Sequence, residues 1–313
     1  MNVFSEYPDI REIRLRAGKP VMVRINNINY FICKDKNTKS GLILSDRKNE
    51  TDDKYVIVNV FTIKEMLQYI WNYSMYAHEE DIRNGFITIK GGHRIGISGK
   101  VVMEEGKIKT IKDISCINIR VAHQIKGCAR KVMPYIIGED NASVLHTLII
   151  SPPGCGKTTL LRDIIRMLSD GFNSFTGVNV GVVDERSEIG ACYMGIEQND
   201  LGVRTDIMDC CPKSLGMLML VRSMSPSVIA IDEIGSAKDI EALSYIIKSG
   251  CACIATVHGN SVDDVKDKPV LGRMIRERIF ERYIILGRKQ SAGRVEEIFD
   301  ERGTSLLRCI ESC

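Results

Sequence analysis

The stretch from Leu148 to Thr159, LIISPPGCGKTT, constrains this chain more than any other. An apolar run from Val144 to Ile150 reads as a buried strand, and Pro152 and Pro153 end it. Gly154 and Gly156 lack a Cβ, so the loop from Pro153 through Cys155 to Thr159 can turn its successive backbone N–H groups, from Gly154 onward, inward to cradle a phosphate. Lys157 supplies a mobile positive charge for β- and γ-phosphates, and the Thr158 hydroxyl suits a magnesium ion bridging them. The helix that follows brings the positive end of its dipole to the same point. This is the Walker A pattern with one departure, Ser151 in place of the first glycine. That glycine eases the chain out of the strand, so the cradle from Gly154 to Thr158 is whole.

Upstream, residues 10–32 alternate as strands do, with Ile13, Leu15, Val21, Val23 and Ile25 apolar among arginines and asparagines. The polar stretch from Cys33 to Lys54 reads as a long exposed connection with a short strand at Leu42–Leu44. Thr62 to Glu65 reads as a capping box opening a helix whose apolar face is Ile63, Met66, Leu67, Ile70 and Trp71. From Gly85 to Ala122 the period switches to two and predicts an antiparallel meander, with Gly91-Gly92 as a hairpin turn. Gly96-Ile97-Ser98-Gly99-Lys100 imitates a phosphate loop, but no Ser or Thr follows the lysine and the local pattern is strand. Residues 1–122 are therefore expected to form an α+β domain on an antiparallel sheet, and 123–142 a linker with one short helix broken by Pro134 and Gly138.

Beyond residue 143 strands and helices alternate, which predicts an α/β domain with a mainly parallel sheet over 143–313. In such a sheet ligands bind beyond the carboxyl ends of the strands. Four strand ends carry polar groups: Ser151 to Thr159, Asp184-Glu185, Asp232-Glu233 and Thr256-Val257-His258. Val228 to Glu233 fits the Walker B pattern, with Asp232 as a magnesium partner and Glu233 placed to orient or deprotonate an attacking water. Asp184 or Glu185 is a candidate to polarise that water, or else simply begins a charged loop. His258 is a candidate γ-phosphate sensor, or a helix-cap or core histidine. The expected ligands are ATP and Mg2+.

Composition narrows the alternatives. A net charge of +3 is too mild to argue for a nucleic-acid or membrane-surface protein, and with the absence of interleaved aromatic and basic residues it argues against direct nucleic-acid binding. The first nine residues have neither a basic start nor an apolar stretch, and no run of about 18 apolar residues occurs, so a cytoplasmic protein is expected. The eleven cysteines are scattered and never spaced as Cys-x-x-Cys, which reads as small buried hydrophobes in a reducing compartment.

Four motifs, Ser151 to Thr159, Val183 to Glu188, Arg222 to Glu233 and Ala255 to Gly259, occur in the order of the Walker A, Asp box, Walker B and His box of one superfamily. In these the chain resembles the type II/type IV secretion and pilus ATPases. Flanking text (Glu12 to Arg16, His93 to Gly99, Ile117 to Arg120, Cys211 to Met219) is similar to the sporulation branch of endospore formers. The resemblance implies a RecA-like P-loop core behind an N-terminal domain, assembled as a hexameric ring. It implies ATP hydrolysis that energises a channel complex between mother cell and forespore. The ring would work from the mother-cell cytoplasm through integral-membrane secretion-type partners. It further implies that N-terminal arginines reach the nucleotide; Arg94 and Arg120 occupy the matching strand positions. Two other readings compete: a RecA-like motor dependent on nucleic acid, and a scaffold that binds ATP without turning it over.

Overall fold

The structure, a computed structural model, describes residues 9–26, 28–35, 42–46, 54–71, 82–83, 85–287 and 294–306. The N-terminal stretch read for a leader and much of the polar connection over 33–54 lie outside these. The chain divides into two compact units, Met1–His123 and Gln124–Cys313.

The first unit is a seven-stranded antiparallel sheet. Its strands are β1 (Ile10–Arg16), β2 (Met22–Ile25), β3 (Ile28–Lys34), β4 (Leu42–Ser45), β5 (Phe86–Ile89), β6 (His93–Glu104) and β7 (Lys107–Arg120), in the order β4-β3-β2-β1-β7-β6-β5. Alternation decides the faces: Leu15, Val23, Ile87, Ile95 and Ile117 are buried with Ile63 and Leu67 of α1 (Val60–Ile70) and Trp71 at its C-cap. The cap of α1 corrects the sequence reading. Asn59, not Thr62, opens the helix, and its Oδ1 accepts from the Thr62 amide at 2.7 Å and the Thr62 hydroxyl at 3.1 Å. Asparagine is among the best N-caps, and starting the helix three residues earlier leaves the apolar face from Ile63 to Trp71 unchanged. The false phosphate loop lies within β6, as its pattern predicted. There a Cβ on Gly99 would stand 2.5 Å from the Lys112 carbonyl oxygen, so the glycine serves a close backbone approach at a bulge in the β6–β7 pairing. The meander's last strand, Lys107–Arg120, runs unbroken through Asp113.

The second unit is built on a seven-stranded sheet, mainly parallel, in the order β10-β9-β11-β12-β8-β13-β14. These strands are β8 (Thr147–Ser151), β9 (Val180–Asp184), β10 (Thr205–Asp209), β11 (Val228–Ile231), β12 (Ala252–His258), β13 (Arg282–Leu286) and β14 (Val295–Asp300), and only β14 pairs antiparallel. Successive residues of β8 feed opposite cores: Leu148 and Ile150 join one cluster, Ile149 the other. Burial on both faces is why these strands read as unbroken apolar runs. Six helices belong to the described part of this unit: α2 (Met133–Ile136), α3 (Lys157–Asp170), α4 (Lys213–Ser223), α5 (Ala237–Lys248), α6 (Val262–Lys266) and α7 (Leu271–Arg276).

Three features differ from the sequence reading. Residues 124–142, expected as a linker, belong to the second unit, and Ala129, Val132, Met133 and Ile136 are fully buried in its core; Pro134 lies in the first turn of α2, where a missing N–H costs nothing. The edge strand β10 has no apolar run to announce it, because every one of its residues is only half-buried. The segment before β13 folds into α6 and α7, too short for a clear helical period. Nine cysteines are described, and of these Cys33, Cys155, Cys192, Cys251 and Cys253 are buried. Among the described residues no helix is long and apolar enough to cross a membrane.

Candidate nucleotide site

The parallel register sets the site. Ser151 pairs with His258, Ile231 with Ala255, and Val183 with Ile231, so β8, β9, β11 and β12 deliver their last residues to one edge of the sheet. Ser151 is fully buried and its hydroxyl donates to the Pro152 carbonyl at 2.8 Å. Gly154 (φ 77°) and Gly156 (φ 86°) both adopt the left-handed conformation that the loop needs to bring the chain into α3. Nothing lies within 4 Å of where a Cβ on Gly154 would stand, so the loop faces open space there. The Cys155 side chain turns into the core instead, with its thiol toward the Pro153 carbonyl.

Five predicted residues meet beyond this edge. The Lys157 ammonium, only 6% exposed, donates to Glu233 Oε1. His258 Nε2 lies 2.9 Å from that ammonium and 2.8 Å from Glu233 Oε1. The Thr158 hydroxyl donates to Asp232 Oδ2 at 2.6 Å. Burial alone would push the Glu233 carboxyl up, but Lys157, with His258 and Arg186 beside it, outweighs this and holds it below the usual carboxylate range. Arg186 Nη1 stands 3.3 Å from Glu233 Oε2.

Asp184 and Glu185 part company. Both oxygens of Asp184 are taken by backbone: Glu188 N–H donates to Oδ1, and Ile189 and Gly190 N–H donate to Oδ2, each at 2.8 Å. Burial still raises its pKa to about 6, because three neutral donors do not replace bulk water and the Asp209 carboxylate faces it from β10. Glu185 instead meets the Lys213 ammonium at 2.5 Å. Arg94 and Arg120 belong to the first unit, where they stand directly opposite each other on β6 and β7; the Arg94 guanidinium lies 3.5 Å from the centroid of the Phe86 ring.

Three positions carry more of the site than the sequence suggested. Thr256, fully buried, donates its hydroxyl to Asp232 Oδ1 and accepts from the Glu233 amide at 2.9 Å, clamping the Asp-Glu pair. Arg162 lies four residues beyond Thr158, on the same face of α3, and donates to the carbonyls of Ile189 (2.9 Å) and Glu188 (2.8 Å). The third is Arg186, already placed against Glu233. Helical spacing from Thr158 and the period of two from His258 are the only signals that pointed to the first two.

A strand, a left-handed glycine loop and a helix beside a strand ending in Asp-Glu define a RecA-like P-loop core, which follows the antiparallel N-terminal sheet in the sequence. The same fold occurs in solved structures of the Yersinia pseudotuberculosis ATPase DotB (TM-score 0.57, 14% identity, 95% of this chain and 77% of that one). It occurs too in the pilus retraction motor PilT (TM-score 0.56, 15% identity, 90% of this chain and 75% of that one). The profile of the family described as "Sporulation stage III, protein AA" matches residues 1–306. The chain is also 40% identical over 313 residues to stage III sporulation protein AA of Bacillus subtilis (strain 168), covering 98% of this chain and 94% of that protein. It belongs to the sporulation stage III protein AA family.

Proposed function

We propose that the chain is a magnesium-dependent ATPase acting as a secretion-type motor in sporulation. The observation that carries this reading is the convergence of Lys157, Thr158, Asp232, Glu233 and His258 at one edge of a parallel sheet, beside the glycine loop.

The donor set fits a hard divalent cation: a threonine hydroxyl and a carboxylate in mutual contact beside an open phosphate cradle. Thr158 and Asp232 are the residues that would hold magnesium, which when bound neutralises charge on the phosphate oxygens. The loop amides from Gly154 to Thr159 bind the β-phosphate, and Lys157 reaches the β- and γ-phosphates. Lys157 cannot serve Glu233 and a triphosphate equally, so substrate binding draws the ammonium away from the carboxylate. That releases Glu233 to orient a water for in-line attack. His258, in contact with both groups, registers the exchange as the γ-phosphate arrives and leaves. Asp184 acts through the loop it holds, and Glu185 through Lys213. Arg94 and Arg120 are assigned charge stabilisation on the triphosphate.

At the level of the assembly, the reading is a hexameric ring in the mother-cell cytoplasm, engaged with integral-membrane secretion-type sporulation proteins and touching the membrane only through them. Phosphate release by the purified chain with ATP and magnesium tests the enzyme. Lys157→Ala abolishes turnover, and Glu233→Gln abolishes hydrolysis while nucleotide still binds. Wild-type rates in either variant overturn the reading. Light scattering with and without nucleotide tests the ring.

A further inference from the structure

The two carboxylate oxygens of Glu233 face different surroundings. Oε1 meets the Lys157 ammonium and lies 2.8 Å from His258 Nε2, whereas Oε2 stands 3.3 Å from Arg186 Nη1. Beside Arg186 lies a hollow of about 20 Å³, lined by Arg186, Lys213 and five carboxylate residues, Asp232 and Glu233 among them. That is room for one water and too little for a phosphate. Lys157 and His258 do not line it, so a phosphate reaches Glu233 from the Oε1 side, past the glycine loop.

The stretch that carries Arg186 is tied on both sides. Before it, Glu185 accepts at 2.5 Å from Lys213, the first residue of α4. After it, Ser187 takes a left-handed φ of 52°, and its hydroxyl accepts from the Cys192 amide at 3.1 Å. The amides of Glu188, Ile189 and Gly190 are held by Asp184, and two of the carbonyls there by Arg162. The backbone therefore aims Arg186 at Glu233. The Arg186 side chain is 65% exposed, so the ion pair adds little to stability. What it sets is direction. The last torsion of a glutamate is soft, so nothing intrinsic to Glu233 orients its carboxylate.

We propose, on the ATPase reading above, that Arg186 is a positioning residue for hydrolysis: it pins Glu233 Oε2 so that Oε1, once Lys157 has moved to the triphosphate, points at the attacking water. In the step it serves, the water oxygen bonds to the γ-phosphorus. The bond from that phosphorus to the bridging oxygen breaks, and its electron pair leaves on ADP. Glu233 Oε1 takes one proton of the water, and hydrogen phosphate is released. A guanidinium is always charged and its donors are planar and fixed, so it holds an orientation that a flexible ammonium does not. Without it, the carboxylate that Lys157 has left is restrained by His258 alone among these three partners.

The test compares the full chain as wild type, Arg186→Gln, Arg186→Lys, Glu185→Gln and the double variant Glu185→Gln/Arg186→Gln. Arg186→Gln is expected to lower kcat for ATP about tenfold with KM within about twofold, because lost orientation acts on the transition state and not on binding. Arg186→Lys keeps the charge without the planar donors and recovers part of the rate. Glu185→Gln unties the loop and lowers kcat about threefold, yet adds nothing in the Arg186→Gln chain, since both act through one contact. A second measurement needs no turnover. ADP with aluminium fluoride, a mimic of the transferring phosphoryl group, binds Arg186→Gln at least about tenfold more weakly than wild type, while ADP alone binds both equally. Unchanged melting temperatures separate these effects from loss of fold. Wild-type kcat and fluoroaluminate affinity in Arg186→Gln, a loss of ADP affinity as large as the loss of kcat, or an undiminished Glu185→Gln effect in the double variant overturns the proposal. A wild-type chain that releases no phosphate and gains no affinity from aluminium fluoride refutes the ATPase reading and this role together.

Discussion

Replacing Thr256 by valine removes one hydroxyl and almost no volume, at a position with no exposure. That hydroxyl bonds the Asp232 carboxylate and receives the Glu233 amide at 2.9 Å. A bond to a charged group is worth about 1.5–3 kcal/mol and one to a neutral group about 1 kcal/mol, so the clamp stabilises the strand end by about 2.5–4 kcal/mol. Glu233 itself has φ 56°, a left-handed conformation that costs a side-chain-bearing residue about 1–2 kcal/mol. The clamp therefore outweighs the strain, and without the hydroxyl the strain is unopposed and Glu233 is free to relax away from Lys157 and His258. Since about 1.4 kcal/mol is tenfold in rate, kcat for ATP is expected to fall about 10- to 100-fold, with KM changed far less. Thr256→Ser keeps the hydroxyl and restores most of the rate. Steady-state phosphate release and thermal unfolding on the three proteins decide it. A folded Thr256→Val chain with wild-type kcat, or a Thr256→Ser chain as slow as valine, refutes the positioning argument.

Other expectations follow from the same geometry. Asp184, with its pKa raised to about 6, favours the folded state most when protonated. Its contribution is complete below its ordinary value near 4 and is lost as pH rises through about 6, so unfolding titrations should show a stabilisation on acidification from pH 7 to 5 that Asp184→Asn lacks. His146 runs the opposite way: burial lowers its pKa, and its Nδ1 accepts from the Cys253 amide at 3.1 Å. Its term is therefore present above pH 6.5 and lost as pH falls, and His146→Gln should flatten that limb of the stability profile. Gly99→Ala drives a Cβ into the Lys112 carbonyl and should lower stability by about 1–3 kcal/mol in chemical denaturation, without changing nucleotide binding. Chelating magnesium should stop turnover, and restoring it should recover the rate, as read by phosphate release.

The strands buried on both faces, the glycine loop and the Asp-Glu strand end were legible in the chain because each is a local pattern. Apolar runs mark strands covered by helices on both sides, and only glycine tolerates the left-handed turns at 154 and 156. What the linear order could not reveal is which carboxylates share a space. Asp184 and Asp232 end similar strands, yet one is consumed by three backbone amides and the other faces the loop threonine. That distinction depends on the path of residues 185–190, where Arg162 and Asp184 together fold the chain back on itself. The clamp by Thr256 likewise exists only because parallel pairing sets Ile231 beside Ala255, across 24 residues of sequence. Pattern determined the elements and the chemistry at their ends. Strand register and burial, which act between residues far apart in the chain, decided which of those ends meet.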